Sequence, residues 1–181
     1  TYYVRTDGDD GNDGLADTAG GAFATIQKAI DTVAALDLGI YGVTIQIGAG
    51  TYADPVVLKT LTGAGSVTLR GNPSAPGDVE IARSGGAVCI EAVNIVGDWR
   101  IDGVRLTIAS ASSNSWSVWA NGPTTTLRYQ NVDFGASGRQ LVAENGAFVR
   151  KEGPCIISGG GVNHLFVRVG ATYDNNGGGD T

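Results

Sequence analysis

At 181 residues the chain is long enough for one domain with a substantial core. Its 29 glycines show no G-X-Y period, which excludes collagen, and 42% apolar residues are too many for a disordered chain. The net charge is −6, the three Lys and nine Arg form no cluster, and no 18-residue apolar run occurs, so nucleic-acid binding and a membrane span are both unexpected.

Tyr2-Tyr3-Val4-Arg5 reads as a short strand, followed by an acidic, turn-rich loop from Asp7 to Gly14. From Phe23 to Ala35 the pattern becomes helical: Phe23, Ile26, Ile30 and Val33 form one apolar stripe, Thr25 is the N-cap and Gly39 lies beyond the stop. After Gly42 only short strand-like runs follow, at 43–47, 56–58, 66–70, 79–81, 87–90, 99–101 and 104–108, each ending near Gly, Asn, Asp or Pro. The second half repeats. Stretches starting at Ser117, Leu141 and Leu165 align at a spacing of 24, with Gly122, Gly146 and Gly170 in one column and Val118, Val142 and Phe166 in another. Asn121 and Asn145 form a third column, which Val169 interrupts.

A period near 24 with strand-like content implies a solenoid. The L-x-x-L-x-L-x-x-N pattern of leucine-rich repeats is absent, so the expected fold is all-β: a right-handed, single-stranded parallel β-helix with an N-terminal capping α-helix. It forms a single domain over 1–181, with the strand, acidic loop and helix in 1–42 and the coils in 43–181. The helix is placed to cover the N-terminal strand edge. No such cover follows the stretch Asp174 to Thr181, and the chain begins at Thr1 and holds no Met. These features lead to the expectation that the chain is part of a longer protein, or that a partner covers that end. Cys89 and Cys155 lie about three coils apart, roughly 14 Å at strand spacing, too far for a disulfide.

The order of strand, Asn12-Asp13-Gly14-Leu15 loop, helix Ala24-Thr25-Ile26-Gln27-Lys28-Ala29-Ile30, then Val43 to Ile47 and Gly50-Thr51-Tyr52, resembles the opening of pectate-lyase-like β-helix proteins. This version looks most like phage and prophage tail spikes and tail fibres. The resemblance implies an extracellular or virion-borne homotrimer that contacts host surface polysaccharide. It also overlaps with polysaccharide lyases, glycoside hydrolases and secreted bacterial surface proteins, so function must be argued from the site.

Four sets of residues invite chemistry. Asp7, Asp9 and Asp13 offer oxygen ligands for Ca²⁺ in a flexible loop, although the EF-hand spacing fails. Asp102 and Asp133 are coil carboxylates of the kind that glycosidase chemistry pairs across a sugar bond, and Asp98, Glu144, Arg100, Arg105 and Arg128 lie at similar coil positions. Asn131-Val132-Asp133-Phe134-Gly135 resembles the aspartate motif of pectin methylesterases, but its flanks differ and no Arg-Pro-Trp partner occurs. Trp99, Trp116 and Trp119 can stack on sugar rings. In a regular strand Trp116 and Trp119 would point to opposite faces. His164 is the lone histidine, and no G-x-S-x-G elbow accompanies it. The loops Asn72–Asp78 and Ser110–Ser115 are too small to build a deep cleft. The tryptophans equally suit packing in the core or at a subunit interface, so a structural or carbohydrate-contacting module without catalysis is the expectation.

Overall fold

The computed structural model describes residues 1–109 and 112–176. Among the described residues one short α-helix and one 3-10 turn accompany 17 strands, and every strand pair is parallel. The strands form the expected all-β parallel β-helix of about five turns, with the right-handed crossover that parallel strands almost always adopt.

Three sheets run along the axis. Sheet A holds β1 (Tyr2–Val4), β2 (Val43–Ile47), β5 (Ser66–Arg70), β8 (Asp98–Asp102), β11 (Thr126–Gln130), β14 (Phe148–Lys151) and β17 (Thr172–Asn175). Sheet B holds β3 (Gly50–Tyr52), β6 (Val79–Ser84), β9 (Arg105–Ala109), β12 (Asp133–Phe134) and β15 (Ile156–Ile157). Sheet C holds β4 (Val56–Val57), β7 (Val88–Val93), β10 (Trp116–Asn121), β13 (Arg139–Glu144) and β16 (Asn163–Val167). Each coil visits A, B and C in turn. Along sheet A, Val43, Val67, Trp99, Leu127, Val149 and Tyr173 occupy one inward column, so successive coils take 24, 32, 28, 22 and 24 residues.

The core is the lumen of this coil. Ile45, Leu69 and Ile101 stack from sheet A, Ile81 and Leu106 from sheet B, and Ile90, Val118 and Leu141 from sheet C, all at most 2% exposed. Toward the last coils the lumen turns polar. Lys151 follows Tyr129 in the column of Leu69 and Ile101 and is buried, and Tyr129 shares a 2.8 Å hydrogen bond with Tyr173. Inward-facing Leu165 and Val167 of β16 are half exposed at the outermost described strand of sheet C.

Helix α1 (Ile26–Ala34) packs its apolar stripe of Ile26, Ala29, Ile30 and Val33 on β1, β2 and β4. Thr25 caps it, accepting from the Lys28 amide at 3.2 Å. Asp10 ties the acidic loop to the same turn by accepting from the amides of Ala24 and Thr25 and from the Thr25 hydroxyl. A carboxylate at a helix N-terminus is stabilised by the exposed amides there. Both cysteines are free and buried, and burial pushes the Cys89 thiol up to about 12.

The repeat register differs from the expected 24-residue alignment in one place. Val118 pairs with Leu141, not Val142, so β10 and β13 are 23 residues apart. The column in left-handed conformation is therefore Asn94, Gly122, Asn145 and Val169, with φ of 51°, 98°, 53° and 52°. Gly122 is required there: a Cβ would lie 2.0 Å from Asn94 Oδ1. Asn121 instead closes its strand in extended backbone and accepts from Asn145 Nδ2 at 3.0 Å, so the two asparagines touch without sharing a column. Val169, a β-branched residue, occupies a conformation that suits Asn or Gly. Val169→Asn should therefore raise stability by about 1 kcal/mol, read as a higher denaturant midpoint. An unchanged or lower midpoint would show that no strain resides there.

Candidate functional site

The strands of sheet C do not alternate simply. In β7, β10 and β13 two consecutive residues are both buried: Cys89 and Ile90, Ser117 and Val118, Gln140 and Leu141. The first of each pair turns in toward sheet B. Cys89 Sγ lies 3.6 Å from the carbonyls of Ile81 and Thr107, and Gln140 Nε2 donates to those of Phe134, Gly135 and Gly159. The bend recurs in register, so it shifts the outward phase by one residue in each strand.

This phase shift overturns one expectation. Trp116 and Trp119, three apart, lie on the same outer face, with ring centroids 5.0 Å apart in an edge-on arrangement. Coil stacking then extends the pair into a patch. Trp116 neighbours Arg139, and Trp119 neighbours Val142, which neighbours Phe166. Val142 is fully buried although it stands outside the lumen cluster. The Arg139 guanidinium lies 4.3 Å over the Phe166 ring, and Arg168 approaches the same ring at 5.4 Å. The Trp116 indole donates to the Ser113 carbonyl at 3.3 Å. The Trp119 Nε1 and the Arg139 Nε are buried and have no hydrogen-bond partner. Buried donors without partners are uncommon, and both belong to this one patch. The result is an aromatic patch whose ring faces suit the apolar C–H face of a sugar; the two partnerless donors are buried and do not reach its surface.

The other proposed site residues are elsewhere. Trp99 is a correction: it fills the lumen with no exposed surface, and its Nε1 donates to the Lys59 carbonyl at 2.8 Å, so it offers no face to a ligand. Asp102 ends a strand of sheet A, 5% exposed, and accepts from Asn131 Nδ2 at 2.8 Å. Asp133 begins a strand of sheet B, 2% exposed, held by Arg105 through two nitrogens at 2.6 Å and by the Ser158 hydroxyl at 2.5 Å. Asp102 and Asp133 thus belong to sheets A and B, apart from the tryptophan pair on sheet C.

The other coil charges singled out in the sequence are paired as well. Arg100, Arg128 and Arg150 stack in one outward column of sheet A. Arg100 pairs with Glu152 at 2.7 Å, Arg128 with Asp98 at 3.0 Å and Glu152 at 3.3 Å, and Arg150 with Asp174 at 2.9 Å. Glu144 lies 2.9 Å from Arg168. His164 Nδ1 contacts Gln140 Oε1, and since Gln140 Nε2 is spent on carbonyls, that imidazole nitrogen is the donor.

The acidic loop does not assemble a cation site. Arg5 holds Asp7 at 2.8 Å, and this hydrogen bond keeps the Asp7 carboxyl below its usual range. Asp9 accepts from the Gly11 amide at 2.7 Å, and Asp13 from the Leu15 amide at 2.9 Å. Each side chain closes its own local turn. Among the described residues no three His, Cys, Asp or Glu converge on a point, which corrects the expected Ca²⁺ site at Asp7, Asp9 and Asp13. Of the two loops noted in the sequence, the first contains a 3-10 turn at Pro76–Asp78, and the second lies partly outside the described residues.

Among the described residues no helix is long and apolar enough to cross a membrane. No protein-family profile matches the chain, and no curated protein matches it significantly. One similar solved structure is the pectin methylesterase from Aspergillus niger, in penultimately deglycosylated form. It has 17% identity and a TM-score of 0.42, and the match covers 91% of this chain and 59% of that one. The chain thus spans about three-fifths of that enzyme's length.

The pairing of Asp133 makes it a structural carboxylate. Asp133→Asn should lower stability by about 2 kcal/mol, because it weakens the charge-assisted hydrogen bonds that Arg105 and Ser158 donate to a buried carboxylate, while Arg105, 38% exposed, keeps its access to water, and should leave any polysaccharide binding unaltered. Denaturant unfolding together with a binding isotherm checks both. Loss of binding with stability intact would instead place Asp133 in a site.

Proposed function

We propose that this chain is a non-catalytic β-helix module that contacts polysaccharide through the outer face of sheet C, as part of a phage-type tail spike or tail fibre. The observation that carries the reading is the tryptophan pair: two indoles edge to face, ring centroids 5.0 Å apart, on the outer side of a parallel sheet. The resemblance of residues 2–52 to the opening of tail-spike β-helices supports the setting, and with it a place outside the cell or on a virion. The absence of catalysis is supported by the charge pairing. Asp98, Asp102, Asp133, Glu144 and Glu152 each accept from or pair with a neighbour, whereas a hydrolase needs a carboxylate pair facing one bond.

Trp119→Ala should weaken binding to a recognised polysaccharide about tenfold, the value of one lost aromatic contact, with the circular dichroism spectrum unaltered because the ring packs outside the lumen. A panel of bacterial surface polysaccharides read by calorimetry checks this; binding indifferent to both Trp116→Ala and Trp119→Ala removes the reading. The homotrimer belongs to the same proposal. Light scattering coupled to size exclusion should give about three times the chain mass of 18.5 kDa, and a monomer would count against the tail-spike setting while leaving the glycan contact to be judged on its own.

A further inference from the structure

A second polar site lies away from sheet C, at the corner where the chain passes from sheet A to sheet B in the first coils. Two clefts of about 400 and 300 Å³ meet there, and both are floored by Gly48 and Ala49. Arg5, Thr6 and Asp7 wall one side. The other is walled by the 71–78 excursion between β5 and β6, with Gln46 and Arg70 at its base. The volumes fall within the usual range for small-molecule sites.

Its polar groups are only partly spent. Gln46 Nε2 donates to the carbonyls of Arg70 and Gly71 at 3.1 Å, which fixes the amide and leaves Oε1 as an acceptor. Asn72 Nδ2 donates to Asp78 Oδ2 at 2.7 Å, leaving the other Asp78 oxygen to accept. Arg70 comes no nearer to its carboxylate neighbour than 3.9 Å, between Nε and Asp102 Oδ2, and its side chain is 51% exposed, so its N–H fork stays available. Acceptors flanking one donor fork match adjacent hydroxyls, each of which donates once and accepts once. Arg5 offsets Asp7 in the smaller cleft, and the open oxygen of Asp78 together with the net charge of −6 disfavours acidic ligands. No aromatic ring lines either cleft, so the recognition differs in kind from that on sheet C.

We infer that this corner binds one uncharged sugar or polyol unit through its vicinal hydroxyls, with Arg70 as the principal donor and Gln46 and Asp78 as acceptors. This site is independent of the tryptophan patch and faces another side of the prism, so one molecule offers two contacts. Linked contacts gain avidity even when each is weak.

The test is amide chemical-shift mapping of the whole chain with methyl glycosides of glucose, galactose and mannose. At least one should shift Gly48, Ala49, Gly71 and Asn72 with an affinity of about 1 mM. Arg70→Gln should weaken that response about tenfold by removing a charge-assisted donor. Ala49→Leu should abolish it by filling an exposed floor outside the core. Trp119→Ala should leave it unchanged. Shifts confined to sheet C, or corner shifts that survive both Arg70→Gln and Ala49→Leu, would overturn the inference while leaving the sheet C reading intact. Glucuronate serves as the charged counterpart, and a stronger corner response to it than to the neutral glycosides would overturn the assignment to uncharged ligands.

Discussion

The parallel ladder between one coil and the next governs everything else in this molecule. Each strand pairs with the strand of its own sheet one turn away, so a residue's partners lie 22 to 43 positions distant and its face is inherited along the whole sheet. A parallel ladder tolerates no slip, because moving one residue would reverse inside and outside. The lumen enforces this with Ile45, Leu69 and Ile101, each nearly or fully buried in one column. Coil length is free to vary because the surplus is placed in corners. The 32-residue coil that begins at Val67 carries the 71–78 excursion, and the ladder on either side of it is unbroken.

Polar groups follow the same logic. On the outer faces unlike charges from neighbouring coils stand one strand spacing apart and pair across the ladder, as Arg105 does with Asp133 and Arg150 with Asp174. A half-exposed pair such as Arg150 with Asp174 contributes little, whereas the Asp133 carboxylate is buried; both pairings hold carboxylates that chemistry would otherwise use. The aromatic patch keeps two buried donors without partners, Trp119 Nε1 and Arg139 Nε, and Arg83 Nε and the Ser117 and Ser137 hydroxyls are further cases among the described residues.

The acidic loop shows the opposite outcome. Its composition suggests a cation site, yet Asp9 and Asp13 are each used within two residues of themselves and Asp7 is taken by Arg5. Asp10, not singled out in the sequence, has the more consequential position because it joins the loop to the helix cap. The helix in turn covers the N-terminal edge of the ladder, where exposed strand groups would otherwise invite pairing with another chain.

Local pattern alone determined a good deal here. The helix with its Thr25 cap, the short strands bounded by turn residues, the repeat near 24 and the buried free cysteines all follow from spacing and composition, because each depends on a residue's immediate neighbours or on a strict period. The outward face of sheet C did not follow. A period of two would separate Trp116 from Trp119, and an alignment at exactly one length would set Val118 against Val142. The bend at Ser117 and Val118 defeats the first, and the 23-residue step between β10 and β13 defeats the second. The spacing shared by Trp116 and Trp119 with Arg139 and Val142, and with Asn163 and Phe166, was the available signal. Reading it required knowing which residues stack. Arg139, Val142 and Phe166 join the tryptophans, and Trp99 leaves them, because burial and coil register belong to the assembled solenoid and not to any single strand.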